Sequence, residues 1–150
     1  MDTNITKTWT IDINKDEVFA RCTNESLYQA YVRTAENTKG DSVVMQDDDK
    51  SQFNIYFASA VAGLQMLLAR RMAEPMLDSE VSLTFELEMH DNHDNNIRTL
   101  LEIHCYDYLV KKVLEQWYHA DFGSELERLE INHCLHYRKH PVRRRVRPLF

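Results

Sequence analysis

The sequence predicts a mainly α-helical fold, a helical bundle around a long central helix with a small β element and an extended basic C-terminal arm. Two long stretches without proline, residues 52–72 and 96–120, carry apolar side chains at helical spacing. Residues 81–90 alternate apolar and polar side chains, as a half-buried strand does. The final stretch, residues 138–150, is strongly basic and has neither pattern.

Length and composition indicate a single domain followed by the arm. A chain of 150 residues, with 43% apolar and 28% charged residues, is large enough to bury a core. We expect the domain to occupy residues 1–140 and the arm residues 141–150. An apolar run of about 18 residues and a signal-peptide pattern are both missing, so we expect no membrane partner. The three cysteines form no CxxC pair, which favours reduced thiols in a cytosolic setting.

The N-terminal part predicts a short β element and then a helix. Residues 8–13, TWTIDI, alternate and indicate either a strand or an extended arm. Asn14 and Glu17 have the spacing of a capping box, so a helix should begin near Lys15. Two interpretations of its course remain, one continuous and one interrupted at Thr23 and Asn24. An apolar stripe follows, formed by Leu27, Tyr28, Tyr31, Val32 and Ala35.

The second long helix and the strand follow in order. Residues 52–72 predict a helix with a wide apolar stripe: Phe53, Tyr56, Phe57, Ala60, Val61, Leu64, Leu67, Leu68 and Met72. Residues 47–49 are three aspartates that do not match the EF-hand pattern of a calcium site. We expect their negative charges to stabilise the N-terminus of this helix. Residues 81–90 predict a strand whose unpaired edges need a partner. The partner is residues 8–13, residues 42–46 or a strand of another subunit.

The central helix, residues 96–120, is apolar on two opposite sides. Such a helix forms the axis of its domain, and we also expect a neighbouring subunit to cover one end. Ser124 and Glu127 match a capping box and start a last helix that runs to about Lys139. Its predicted apolar side consists of Leu126, Leu129, His133 and His136 or Tyr137.

The sequence predicts no catalytic residue, no cofactor and no metal site. His90 and His93 are the best pair of metal ligands, but they lack the HExxH context and a solvated turn explains them better. The chain has three glycines and no phosphate-binding glycine motif. His104 and Cys105 are neighbours on different faces of a helix and cannot form a nucleophile–base pair. We therefore expect a protein that is not an enzyme.

Charge is distributed unevenly along the chain. Residues 138–150 hold six bases and no acid, whereas residues 1–137 hold 12 bases and 24 acids. The basic arm has three interpretations: a solvated tail, a nucleic-acid-binding segment, or a segment that docks on protein carboxylates. The acidic body opposes nucleic-acid binding, and the five arginines favour bidentate contacts with carboxylates. If the arm docks on the next copy, the contact is heterologous and generates a ring or a filament.

The order of these parts resembles the head–tail connector (neck or adaptor) proteins of tailed bacteriophages and prophages. The resemblance covers about residues 16–148: an early DEVFARCTNES segment, MQDDDKSQF before the Ala-rich helix, the strand, LEQWYHAD, and YRKHPVRRRVRP. LEQWYHAD and YRKHPVRRRVRP are its most specific parts. The N-terminal Trp9 strand and the His-rich region 133–140 depart from it, which leaves the place in the neck or tail open.

The resemblance implies a non-enzymatic virion protein that forms a ring on the portal. Its expected partners are identical copies and portal or other neck and tail proteins, with possible passage of DNA through the ring. It would be located in the virion, and in the host cytoplasm during assembly. We expect the partner contacts at eight residues: Arg138, Lys139, Arg143, Arg144, Arg145, Arg147, Trp117 and Tyr118. The alternative function is a nucleic-acid-binding module that uses the basic tail.

Overall fold

The structure, a computed structural model, describes residues 6–35 and 44–137. The predictions for the basic arm therefore lie outside the described residues. The mainly α-helical class with a small β element is confirmed. In chain order the elements are β1 (Thr6–Asn14), α1 (Lys15–Ala35), a 3-10 turn (Asp47–Asp49), α2 (Lys50–Leu68), a second 3-10 turn (Ala69–Arg71), β2 (Leu77–Asp78), β3 (Ser82–His90), α3 (Asn95–Tyr118) and α4 (Ser124–His136).

The three strands form one antiparallel sheet in the order β1-β3-β2. β1 pairs with β3 along its whole length, from Thr6 opposite His90 to Asn14 opposite Ser82. The predicted strand thus has residues 8–13 as its partner, together with the two-residue β2, which the sequence did not indicate. Alternation puts one face of the sheet in the core, formed by Trp9, Ile11, Ile13, Leu83, Phe85, Leu87 and Met89. Val81 belongs to the predicted pattern but precedes β3 and is 59% exposed.

Helix α1 is continuous from Lys15 to Ala35, which decides between the two interpretations in favour of the uninterrupted helix. Asn14 Oδ1 accepts hydrogen bonds from the backbone N–H groups of Asp16 and Glu17, which explains why the helix begins at Lys15. The first half of α1 buries Val18, Phe19 and Cys22, whereas Leu27, Tyr28 and Tyr31 of the later apolar stripe are exposed.

Helix α3 is the axis of the fold, as predicted, and contacts β1, α1, α2 and α4. Its buried residues are Leu101, Cys105, Tyr108, Leu109, Val110, Val113 and Leu114. Asp94 caps its N-terminus by accepting from the N–H of Asn96, and His119 ends it in the left-handed conformation. At its first half Ile103 is 50% exposed, because no helix of the described residues covers that side.

Two predictions for α4 are wrong. Its buried side is formed by Glu127, Ile131, Cys134 and Leu135, while Leu126 and Leu129 are 65% and 50% exposed. The predicted capping box is also absent. The N-cap is Gly123 with φ of 89°, and Ser124 Oγ donates to Glu115 Oε1 on α3 over 2.7 Å. Glu115 Oε2 accepts from the N–H groups of Phe122 and Ser124, so one carboxylate of α3 fixes where α4 begins.

Candidate functional site

A groove of about 280 Å³ lies on the outer face of the sheet and is rich in carboxylates. On its floor, Glu86 and Glu88 project from β3 on the face opposite the core, since Phe85 and Leu87 point inward. Glu74 lines the opposite wall beside Pro75 and Leu77, and Thr8 of β1 lies opposite Glu88 in the sheet. We call this feature the acidic groove.

Two features of the acidic groove could bind a partner: its carboxylates and the edge of β3. All three of its glutamates are exposed, and none makes an ion pair within residues 6–35 and 44–137. The β2 strand pairs only with Leu83 and Thr84 of β3. Over the described residues, the β3 edge beyond Thr84 therefore has no strand on that side. Alternate backbone groups along it can accept a further extended segment.

The last described residues of α4 lie close to the end of β3 that borders the acidic groove. Nε2 of His93, in the turn after β3, lies 3.0 Å from the carbonyl oxygen of Leu135, near the end of α4. Arg71 also donates to this oxygen over 3.2 Å. The described chain therefore ends, at Tyr137, near the His90 end of β3.

The predicted partner residues that the structure describes are Trp117 and Tyr118, both partly buried at the end of α3. Trp117 contacts Tyr56 edge-on, with ring centroids 6.5 Å apart. Tyr118 stacks on Phe122 at 5.4 Å, and its hydroxyl donates to the carbonyl oxygen of Ser26. The structure does not bring them together with the acidic groove. Arg138, Lys139, Arg143, Arg144, Arg145 and Arg147 lie outside the described residues.

His93 is not in a solvated turn, contrary to the prediction. It is 2% exposed, and its ring meets the Trp9 ring edge-on at 6.0 Å. Nδ1 lies 3.1 Å from the carbonyl oxygen of His90, and Nε2 contacts Leu135 as described above. Both ring nitrogens are therefore used in joining β3 to α4. The His90 ring turns elsewhere, with Nδ1 2.7 Å from Asn92 Oδ1.

An ion cluster joins α3 to α1 and α4. It was not predicted from the sequence. Glu127 is buried between Nδ1 of His104 and Nζ of Lys111, each 2.7 Å from a carboxylate oxygen. Asp107, one turn from both, forms an ion pair with Arg21 of α1. The i, i+3 spacing of His104 and Asp107 was visible in the sequence, but only the fold adds Glu127.

This cluster also contains a set of metal-ligand types. The ligand atoms of His104, Asp107 and Glu127 all lie within 4.8 Å of one another. One imidazole and two carboxylates suit Zn²⁺ or another divalent transition metal. In the observed arrangement, however, the Lys111 ammonium and the Arg21 guanidinium contact the two carboxylates, and the cluster acts as a set of ion pairs between three helices.

The ionised form of Glu127 is favoured by the fold, which predicts an acid-dependent loss of stability. Burial raises the pKa of Glu127, but hydrogen bonds and positive charge from Lys111 and His104 outweigh it, so that the pKa is lowered below 4.5. A carboxylate whose pKa is lowered by folding stabilises the folded state at any pH above its pKa in the unfolded chain. This stabilisation is lost as the pH falls through its pKa in the folded protein. In urea titrations from pH 7 to 3, Glu127→Gln should be less stable than wild type at pH 7 and approach it at pH 3.

The matched control is Glu130→Gln, because Glu130 is exposed on the same helix and forms no ion pair in the described part of the chain. It should follow the wild-type curve at every pH. A difference between Glu127→Gln and wild type that stays constant down to pH 3 would contradict the assigned role of the carboxylate.

The cysteine thiols are buried and held in the protonated form. Burial raises the pKa of Cys22 to about 12 and that of Cys134 to about 11, and it raises the pKa of Cys105 as well. Because the thiolate is the reactive species, these thiols are poor nucleophiles.

No family model, curated protein or solved structure matches this chain. By length and composition alone, Asp47–Arg71 is long and apolar enough to cross a membrane, with 33% of its most apolar window buried in the fold. A core helix of a water-soluble protein commonly has the same properties.

Proposed function

We propose that this chain is a structural assembly protein, a ring-forming head–tail connector subunit whose basic C-terminal arm docks in the acidic groove of a neighbouring copy. The proposal is supported by two observations: residues 138–150 carry six bases and no acid, and the groove holds three glutamates that form no ion pair within the described residues. The resemblance described above supplies the connector role, and the groove supplies the acceptor.

The spacing of charges in the arm matches that of the groove. In an extended chain alternate residues share a face, so Arg143, Arg145 and Arg147 would lie on one side of the arm. They recur at the same two-residue interval as Glu86 and Glu88 on β3. Antiparallel pairing therefore sets arginines opposite glutamates as cross-strand pairs, each contributing roughly 0.2–1 kcal/mol. Pro141 and Pro148 bound the segment and reduce the entropy that it loses on docking.

Docking in the neighbour, not within the same chain, is the step that produces assembly. The described chain ends at Tyr137 near its own groove, so we expect the arm of a free copy to reach that groove as well. Exchange of arms between copies makes the same contacts and links subunits, as in domain swapping. A contact from arm to groove is heterologous, and it closes into a ring when the rotation between copies permits.

The proposal is tested by removing residues 141–150 and measuring mass by light scattering over a concentration series without DNA. Because we expect these residues to lie outside the core, helix content by circular dichroism should remain unchanged. The large species formed by the full chain should be lost. A truncated chain that still forms the same rings would contradict the proposal.

Charge reversal identifies the two surfaces. Replacing Arg143, Arg144 and Arg145 by Glu, or Glu86 and Glu88 by Lys, should each prevent assembly, while a mixture of these two proteins should restore mixed contacts between unlike copies. The matched control is Glu80→Lys with Glu130→Lys, which makes the same change of charge as the Glu86 and Glu88 replacement on exposed residues that do not line the groove. Failure of the mixture to associate would contradict docking of the arm in the acidic groove of a neighbouring copy.

Nucleic-acid binding by the basic arm is the competing function, and the same proteins test it. Retention on DNA that weakens steeply with salt, and that is lost with the three arginines but not with Glu86 and Glu88, would favour that function.

A further inference from the structure

Within the described part of the chain, no element covers the outer face of α2, and this face has an unusual charge pattern. The exposed residues Gln52, Ile55, Ser59, Ala62 and Met66 recur at intervals of three and four, on the side opposite the core residues of α2. Ile55 and Met66 are 62% and 82% exposed. Residues 51–69 include no charged side chain, although 28% of the chain is charged. We call this surface the α2 seam.

Opposite charges lie at the two ends of the α2 seam. Asp47 and Asp48 are exposed at the N-terminal end and Arg70 is exposed at the C-terminal end, and none of the three forms an ion pair within the described residues. The neighbouring Arg71 is already used, since it donates to Leu135. An antiparallel copy of the same helix carries the complementary charge at both ends.

We propose that α2 pairs antiparallel with α2 of a second copy of this chain, about a two-fold axis near residues 59–62. This arrangement sets Ser59 against Ala62 of the other copy, and Ile55 against Met66. The small side chains at the centre permit close helix approach, while the larger ones fill the space on either side. Asp48 then lies at the same end as Arg70 of the other copy, and the symmetry repeats this pair.

The pairing does not depend on the arm or on the connector role. A single helix pair buries less than about 1,200 Å² in total, so it belongs to the weaker class of specific interfaces. A two-fold pair has no polarity, whereas a ring built from heterologous contacts is polar. The two contacts use different surfaces, so the failure of one proposal leaves the other to its own test.

Cysteine cross-linking of the full chain tests the geometry. The native cysteines Cys22, Cys105 and Cys134 are buried, so engineered thiols react selectively. Asp48→Cys and Arg70→Cys, mixed and treated with a short bismaleimide, should cross-link at least ten times faster than either variant alone. Equal rates for the mixture and the single variants would overturn the antiparallel arrangement, as would rapid cross-linking of Asp48→Cys with itself.

Charge swapping tests the chemistry by sedimentation equilibrium of the full chain. Asp48→Arg and Arg70→Asp should each weaken the pair at least ten-fold, and the double variant should recover to within about three-fold of wild type. Ala62→Glu should abolish pairing, whereas Asn54→Glu, exposed on the same helix away from the seam, should leave it unchanged. Loss of pairing in the double variant, or pairing that persists with Ala62→Glu, would overturn the proposal.

Discussion

Leu101→Ala and Leu114→Ala should each lower the free energy of unfolding by about 2–5 kcal/mol. Both side chains are at most 1% exposed and lie on the one helix that contacts β1, α1, α2 and α4. Truncation removes apolar area from the core and leaves a cavity, because four surrounding elements cannot collapse together around α3. Urea titrations followed by circular dichroism measure the effect.

The control for these variants is Ile103→Ala, on the same helix but 50% exposed. The free energy of unfolding of this variant should change by less than about 1 kcal/mol, since half of Ile103 is already exposed to water. If all three variants gave equal losses, α3 would not be the axis of the fold.

The elements with the most regular patterns were the ones that the sequence predicted well. Residues 81–90 alternate without a fault, and β3 begins and ends within one residue of that range. The central helix was predicted as residues 96–120 and is observed as Asn95–Tyr118. In both cases burial follows local periodicity, so local information was enough.

The exposed side of α4 was predicted wrongly because a distant ion cluster determines how this helix is rotated. Because Glu127 is charged, the pattern of apolar residues predicts that it lies on the solvent-exposed side of α4. It is buried because His104 and Lys111 of α3 satisfy both carboxylate oxygens, and this turns Leu126 and Leu129 outward. Such pairings between helices cannot be deduced from the spacing within either one.

The acidic groove could be predicted only in part. Alternation along β3 shows that Glu86 and Glu88 share the outer face. That β2 ends after two residues, and that Glu74 then lies across from β3, are consequences of the chain path between α2 and β3. The proximity of Leu135 to His93, which brings the end of α4 to this end of β3, likewise depends on the tertiary packing.

Gly63→Ala should lower the free energy of unfolding in the wild type but raise it in the Tyr108→Phe variant, which lacks the tyrosine hydroxyl. Gly63 lies where α2 passes α3, and a Cβ there would be 2.5 Å from the Tyr108 hydroxyl oxygen and 3.6 Å from the ring carbon that carries it. Tyr108 is 3% exposed, so its ring has little room to move. In the wild-type background the substitution overpacks this contact and should cost about 1–3 kcal/mol.

In the Tyr108→Phe background the same substitution meets only an ordinary van der Waals contact. Alanine in place of glycine then stabilises a helix interior by up to about 1 kcal/mol. Urea titrations of the wild type, the two single variants and the double variant give the coupling free energy directly. A loss from Gly63→Ala that is the same in both backgrounds would show that α2 and α3 do not approach each other through this contact.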